Sequence, residues 1–365
     1  MFLIQPSSLM SSNLHCTCGN ERKADVLWSD ADCHIVVTGA SRGFGRALCL
    51  QLVKALTSEP GSAASVTILL MARDLAALQG TRDHMLLTKS YGSQTKLNVL
   101  IAQPTLDMNN ISVPVVYTAL QPLFDVASTN LASGRKQWNL LVHNAATIGN
   151  ISMRADERVS VTDLEAYYRV NLIAPMVLTG VFLSHFAPFG LPHPPVTVVN
   201  ISSLAAAQPF PLLSDYCVGK TARQMYLSAL AVDRPTVAVF NYSPGPLDTD
   251  MYTELSEHHG DPEYKAMTLK NKQLGRLIAP EESARVCVAW LRRRHVSDPL
   301  GDTSQIQPRA LVCPVHEADY KDIWHGLRLD YYDAVRMESG NRCTADEAQP
   351  DTDRLRTDVS KMLDA

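Results

Sequence analysis

Neither sign of charge predominates in this chain. Its 365 residues carry 33 Lys and Arg against 37 Asp and Glu, a formal net charge of −4. That balance gives no electrostatic footprint for nucleic acid or an anionic membrane surface. The opening stretch, "MFLIQPSSLMSSNLHCTCGNERK", lacks a basic region followed by a long apolar run, so no secretory signal is read there. No apolar stretch is read as reaching the length of a membrane span. Eight cysteines are present without a framework spacing, and only Cys16 and Cys18 lie close together, beside His15. With no second ligand pair, the expectation is free thiols, no metal site, and the reducing cytosol as compartment.

What remains is an ordinary globular composition, 46% hydrophobic and 19% charged. From His34 onward, short β-branched runs alternate with longer helical patterns. The runs are "HIVVTG", "SVTILLMAR" at 65–73, "KLNVLIAQ" at 96–103, "WNLLVHNAA" at 138–146, "PVTVVNISS" at 195–203 and "TVAVFNYSPG" at 236–245. Continuous apolar runs suit strands covered on both faces, and the intervening helical segments suit crossover connections. The predicted fold is α/β: a single Rossmann-type, doubly wound parallel sheet with helices on both faces. Residues 1–32 read as a flexible leader, 33–333 as the domain, and 334–365 as a polar, mobile tail. Extended insertions are expected near 57–65, 109–136 and 293–322.

The segment "IVVTGASRGFGRALCLQLVKAL", 35–56, places Gly39, Gly43 and Gly45 between a strand and a helix. Helix-start N–H groups can receive a pyrophosphate, and absent side chains let it approach, with Ser41, Arg42 and Phe44 in the same turn. Close packing of a strand-to-helix turn also calls for glycine. The second strand ends at Ala72 and Arg73, where NAD binders place an acid for the ribose hydroxyls. Arg73 and Arg42 together suit a 2′-phosphate, so NADPH is the expected cofactor. A solvated strand end is the other reading of Arg73, and Asp74 follows it.

In "NISSLAAAQPFPLLSDYCVGKTARQMYLSAL", 200–230, Tyr216 and Lys220 share a helix face. A nearby ammonium is expected to lower the tyrosine's pKa from ~10 toward the range useful for proton transfer. Ser203, just past a strand, could hold a substrate carbonyl.

The glycine turn, Ser203, Tyr216 and Lys220 together resemble the short-chain dehydrogenase/reductase family over roughly residues 33–290. The family's Asn-Asn-Ala-Gly motif appears here as "HNAA", with Asn144 kept and His143 and Ala146 departing. The resemblance makes Asn171 the fourth catalytic residue, holding a water that links Lys220 to solvent, and Asp107 the acid near the adenine. "GASRGFGRAL", "YCVGKTARQM", "NYSPGPLDTDM" and "LDYYDA" resemble the pterin-reducing members more closely. That resemblance implies Pro244, Gly245, Leu247 and Thr249 around the nicotinamide, and Asp330 holding a pterin. A carboxylate accepts well from the two-donor edge of such a ring; a solvated terminal acid is the other reading of Asp330.

The implied reaction is reduction of a side-chain ketone of a 6-substituted pterin. Tyr216 would donate the proton, Ser203 polarise the carbonyl, and Lys220 also hold the nicotinamide ribose. The polar stretch 247–267 is expected to form a lid. The resemblance further implies a homodimer packed through the helix of Tyr216 and the one after Asn171. Two other readings stand beside this one: a broad NADPH carbonyl reductase, which does not need Asp330, and a non-catalytic NADPH-binding scaffold.

Overall fold

The strand β1 (Asp32–Thr38) is buried along its whole length, as its sequence DCHIVVT suggests for a strand covered on both faces. It lies at the centre of a sheet described by a computed structural model covering residues 27–59, 61–103, 105–292 and 328–331. The chain continues through α1 (Gly43–Leu56), β2 (Ser65–Met71), α2 (Leu75–Thr88), β3 (Lys96–Ile101), α3 (Val113–Ala132) and β4 (Gln137–His143). The second half comprises α4 (Val161–Tyr168), α5 (Ala174–Phe186), β5 (Val196–Ile201), α6 (Ser214–Asp233) and β6 (Val237–Ser243). It closes with α7 (Asp250–His258), α8 (Pro262–Gln273), α9 (Pro280–Arg292) and β7 (Arg328–Asp330).

All seven strands are parallel, in the order β3-β2-β1-β4-β5-β6-β7. The doubly wound parallel architecture expected from the apolar runs is therefore present. The winding reverses between β1 and β4, which pair from Asp32↔Gln137 to Val37↔Val142. Such a reversal opens a crevice at the carboxyl ends of the strands, where ligands bind in this architecture. One face of the sheet is covered by α1 and α9, through Leu48, Leu52, Val286 and Trp290. The other carries α3, α5 and α6, through Leu120, Phe124, Phe182 and Leu227.

Three sequence expectations change. The stretch 109–136 is no extended insertion, because most of it is the 20-residue helix α3. Its buried residues, Val116, Ala119, Leu120, Leu123, Phe124 and Ala127, recur with helical spacing. Packing on the sheet carries the helix past Pro122, whose missing N–H otherwise disfavours a helix interior. The domain also starts earlier than residue 33. Leu27, Trp28 and Ala31 are buried, and the Trp28 ring lies 5.3 Å from that of Trp138 on β4.

Finally, the helical run Val161–Phe186 is long and apolar enough to cross a membrane by length and composition. Half of its most apolar window is packed inside the protein, with Leu178 and Phe182 against the sheet, as befits a core helix. The connection at 57–65 leads straight into β2, with Ala63 buried. Leader residues 1–26 with Cys16 and Cys18, the 293–322 segment and the tail 334–365 lie outside the described residues. Among the described residues, Cys33, Cys49, Cys217 and Cys287 are free thiols.

Candidate active site

The three glycines after β1 turn out to have separate reasons. Gly39 has φ +66°, and a Cβ there would stand 2.8 Å from Asn144 Nδ2 and 3.0 Å from Ala145 Cα. A Cβ on Gly45 would lie 2.2 Å from the Gly39 carbonyl oxygen. Both positions are thus closed by packing of the turn against itself and β4. Gly43 has φ +52° with only Thr249 Cγ2 nearby, at 3.5 Å, so its open face is the approach to the backbone. It begins α1, whose preceding residue Arg42 makes no side-chain cap, so the first-turn N–H groups can receive an anion. Thr81 on α2 braces the turn from behind by donating to the Ala40 carbonyl at 3.1 Å and the Ser41 carbonyl at 3.5 Å. The Phe44 ring stacks on Tyr242 in the core, so that side chain packs and does not line the turn's open face.

Asn144 ties the end of β4 to this turn: its Nδ2 donates to the carbonyls of Thr38 and Gly39 at 3.0 and 3.1 Å. Thr38 Oγ1 accepts from the Asn144 and Ala145 backbone at 3.0 and 3.1 Å. His143 points to the other side of β4, where its Nε2 lies 2.7 Å from Thr179 Oγ1. The Thr179 hydroxyl donates to the Pro175 carbonyl, so His143 is the donor and Nε2 carries the proton. Burial, with a smaller contribution from Arg223, holds His143 down to about 3, a neutral ring at any ordinary pH. The departure from the family motif at His143 therefore sits in the core beneath α5. Ala146 follows as a half-buried residue of the loop.

Where the adenosine is expected, Ala72 and Arg73 follow β2. Arg73 is exposed, while the Asp74 carboxylate is engaged in capping α2 through the Ala77 N–H at 3.0 Å. Arg42 reaches across to Asp250 at the start of α7, at 2.7 Å, both side chains about three-quarters exposed. Asp107 accepts from Asn109 N–H at 3.1 Å and so caps the short turn Met108–Asn110. Where the nicotinamide is expected, Gly245 has φ +78° and packs against Ile278, and Leu247 forms a parallel bridge to Ile278. The Pro244 carbonyl accepts from Ser283 at 2.8 Å, and Thr249 precedes α7 opposite Gly43. The expected lid is helical: Met251, Leu255 and Tyr264 of α7 and α8 pack beside Tyr216.

The residues expected to be catalytic converge on α6 and the ends of β4 and β5. Ser203 ends the β5 segment, accepts from Ala205 N–H at 3.2 Å, and hydrogen-bonds to Tyr216. Lys220 Nζ stands 5.5 Å from the centre of the Tyr216 ring and donates to the Ile201 carbonyl at 2.8 Å. Asn171 lies in a π-helical turn, Arg169–Ile173, between α4 and α5. Its Oδ1 accepts from Thr147 N–H at 3.0 Å and its Nδ2 donates to the Tyr167 carbonyl at 3.1 Å.

Burial is the first influence on both members of the tyrosine–lysine pair. Burial, then the charge of Arg223, pushes Lys220 well below its ordinary ammonium range. Tyr216 is raised by burial, against the opposing pull of the Ser203 hydrogen bond and the Arg223 charge. The Lys220 side chain is itself buried, 6% exposed. Arg223 was missed although it sits seven residues after Tyr216 and three after Lys220, on the same helix face. Tyr167, whose ring fills the space left by Gly149 and Gly219, gave no comparable signal. Asp330 ends β7 opposite Ser243 of β6, half-buried, on the carboxyl edge of the sheet that also carries Ser203.

Residues 120–260 match the family model described as short chain dehydrogenase. The sepiapterin reductase of Rattus norvegicus is 35% identical over 258 residues, spanning 71% of this chain and 90% of the relative. The chain belongs to the short-chain dehydrogenase/reductase family. A benzil reductase of Bacillus subtilis is 26% identical, over 71% of this chain and 93% of that one. A short-chain dehydrogenase/reductase structure from Saccharomyces cerevisiae shares the fold, with TM-score 0.58 and 21% identity, over 84% of this chain and 99% of its own. As a member of this family the protein is an oxidoreductase that uses a nicotinamide cofactor.

Proposed function

We propose that the protein is an NADPH-dependent reductase of the side-chain ketones of 6-substituted pterins, sepiapterin and 6-pyruvoyl-tetrahydropterin among them. Its place would be the last reductive step of tetrahydrobiopterin synthesis, in the cytoplasm. The observation that carries the pterin reading is Asp330. In a chain 35% identical to a sepiapterin reductase, it puts a carboxylate on the edge strand in register with Ser243.

The described residues suit NADPH. The open face of Gly43 and the uncapped start of α1 suit its pyrophosphate, while exposed Arg73 with Arg42 suits a 2′-phosphate. When bound, the cofactor supplies the hydride. Ser203 holds the substrate carbonyl oxygen and Tyr216 gives it a proton, the two hydroxyls already sharing a hydrogen bond. Lys220 holds the nicotinamide ribose, and Asn171 leads replacement protons inward from the loop at Thr147. Asp330 accepts from the pterin's amino edge and turns the ketone toward Tyr216.

The test is NADPH oxidation with sepiapterin and with a diketone, for wild type and Asp330→Ala. Loss of sepiapterin turnover alone is expected. Equal responses to both substrates would leave a broad carbonyl reductase, the reading that the benzil reductase relative favours. The proposed homodimer would bury the exposed Met176 of α5 and Val218, Met225 and Val232 of α6. Sedimentation of Met225→Glu as a monomer is the corresponding outcome.

A further inference from the structure

Tyr167, near the end of α4, is 5% exposed, and its ring lies in a slot made by two glycines of other segments. A Cβ on Gly149 would stand 2.8 Å from the ring atoms Cδ2 and Cε2. One on Gly219 would stand 3.0 Å from Cε1 and 2.9 Å from the hydroxyl oxygen. The phenol thus reaches across to α6 and meets it at the residue immediately before Lys220. There the buried hydroxyl has no hydrogen-bond partner among the described residues. Leaving a hydroxyl unpaired inside a protein is costly, and a phenylalanine would fill the same slot without that cost.

Two neighbouring groups have hydrogen-bonding capacity to spare. Asn171 uses its Oδ1 once, for the Thr147 N–H at 3.0 Å, and its Nδ2 once, for the backbone carbonyl of Tyr167 at 3.1 Å. One amide hydrogen and one lone pair are left over. On α6, one turn after Gly219, the buried Nε of Arg223 has no partner among the described residues, while its Nη1 donates to the Ala145 carbonyl at 3.0 Å. A buried water makes roughly three hydrogen bonds, to polar groups of this kind.

We propose that Tyr167 is a positioning residue of the proton relay: its hydroxyl, together with Asn171, holds the water that feeds protons to Lys220 from the α4 side. Burial first, then neighbouring Tyr216, raises the Tyr167 phenol, so it stays neutral and can both donate and accept. After Tyr216 has given its proton to the substrate oxygen, one proton enters the relay from solvent for each one delivered. Every O–H bond broken along the relay is remade, and Tyr167 ends as it began. The proposal deepens the reductase reading and rests on it for its kinetic arm alone.

The experiment compares wild type, Tyr167→Phe, Asn171→Ala and the double variant in reduction of sepiapterin or a diketone, and in thermal unfolding. Phe keeps the ring in its slot and removes only the hydroxyl. Tyr167→Phe is expected to lower kcat about fivefold, the scale of one hydrogen bond. The solvent isotope effect on kcat should rise, because reprotonation becomes slower, while Kd for NADPH stays unchanged. The losses of the two single variants should not add in the double variant, since each releases the same water. Tyr167→Phe should melt no higher than wild type. Melting above wild type would mean a hydroxyl that holds nothing, and would overturn the proposal. Unchanged turnover and isotope effect, or additive losses, would overturn it too. If Asn171→Ala does not fold, the isotope effect and melting of Tyr167→Phe decide alone. Should no ketone be reduced, the reductase reading fails, while melting still decides whether the hydroxyl holds a water.

Discussion

At Gly39 and Gly45 the chain has removed side chains until backbone fills their place, while Gly43 is left open and the N–H groups of α1 stand free. Across the same cleft, α6 packs Asp215, Lys220 and Arg223 inside the protein within three turns of helix. The first region works by what has been taken away, so at Gly39 and Gly45 it has no room for a Cβ. The second works by charges out of water, so it tolerates changes of shape better than changes of charge. One cleft thus joins a steric device to an electrostatic one.

The comparison can be broken at either end. The largest effect is expected at α6: Tyr216→Phe, nearly identical in shape, should lose about 10²–10⁴-fold in turnover. NADPH binding, followed by nicotinamide fluorescence, should persist; near-normal turnover would remove the phenol from the chemistry. Next is the turn. Gly45→Ala drives a Cβ to 2.2 Å from the Gly39 oxygen and should cost roughly 1–3 kcal/mol in thermal unfolding. Gly43→Ala, with 3.5 Å of room, should cost only the left-handed backbone at φ +52°, about 1 kcal/mol, yet bind NADPH more weakly. Equal melting of the two would erase the distinction between packing glycines and the open one.

Arg73→Ala comes third. It should weaken NADPH roughly tenfold, the scale of a charge-assisted hydrogen bond, and hardly affect NADH. Equal losses in calorimetry would mean that Arg73 does not read the 2′-phosphate.

The smallest effect at neutral pH belongs to His143→Asn, which restores the family's residue. Folded His143 is held at about 3 against 6.5 for an ordinary histidine. Above the ordinary value neither state is charged, so nothing changes. Below it the unfolded chain binds a proton that the folded chain refuses, and stability falls by about 1.4 kcal/mol per pH unit. The Asn variant should lose that slope in urea unfolding between the two values. Parallel curves for variant and wild type would refute the buried neutral histidine.

The sheet was legible because both its faces are covered, which makes each strand an unbroken apolar run. The helix α3 was not, since Pro114, Pro122 and a β-branched start argue locally against a helix that packing nonetheless secures. The residue types of the site were legible too: Ser203, Tyr216, Lys220 and Asn171 meet around α6. The burial of Lys220 was not, because it is a property of the assembled core. Nor was the π-helical turn at Asn171, which leaves no trace in apolar periodicity. For Gly39 and Gly45 the packing reading that stood beside the phosphate one has its observation, since their close neighbours are the protein's own Asn144 and Gly39.

The Trp28–Trp138 pair has an optical consequence. Two indoles with ring centres 5.3 Å apart and planes 34° from parallel share their excited states. Coupled transitions of that kind split into a band pair of opposite sign in circular dichroism. The split vanishes when either ring leaves, so the protein carries its own gauge of whether the segment before β1 is docked on the central strand, readable without a label and without substrate.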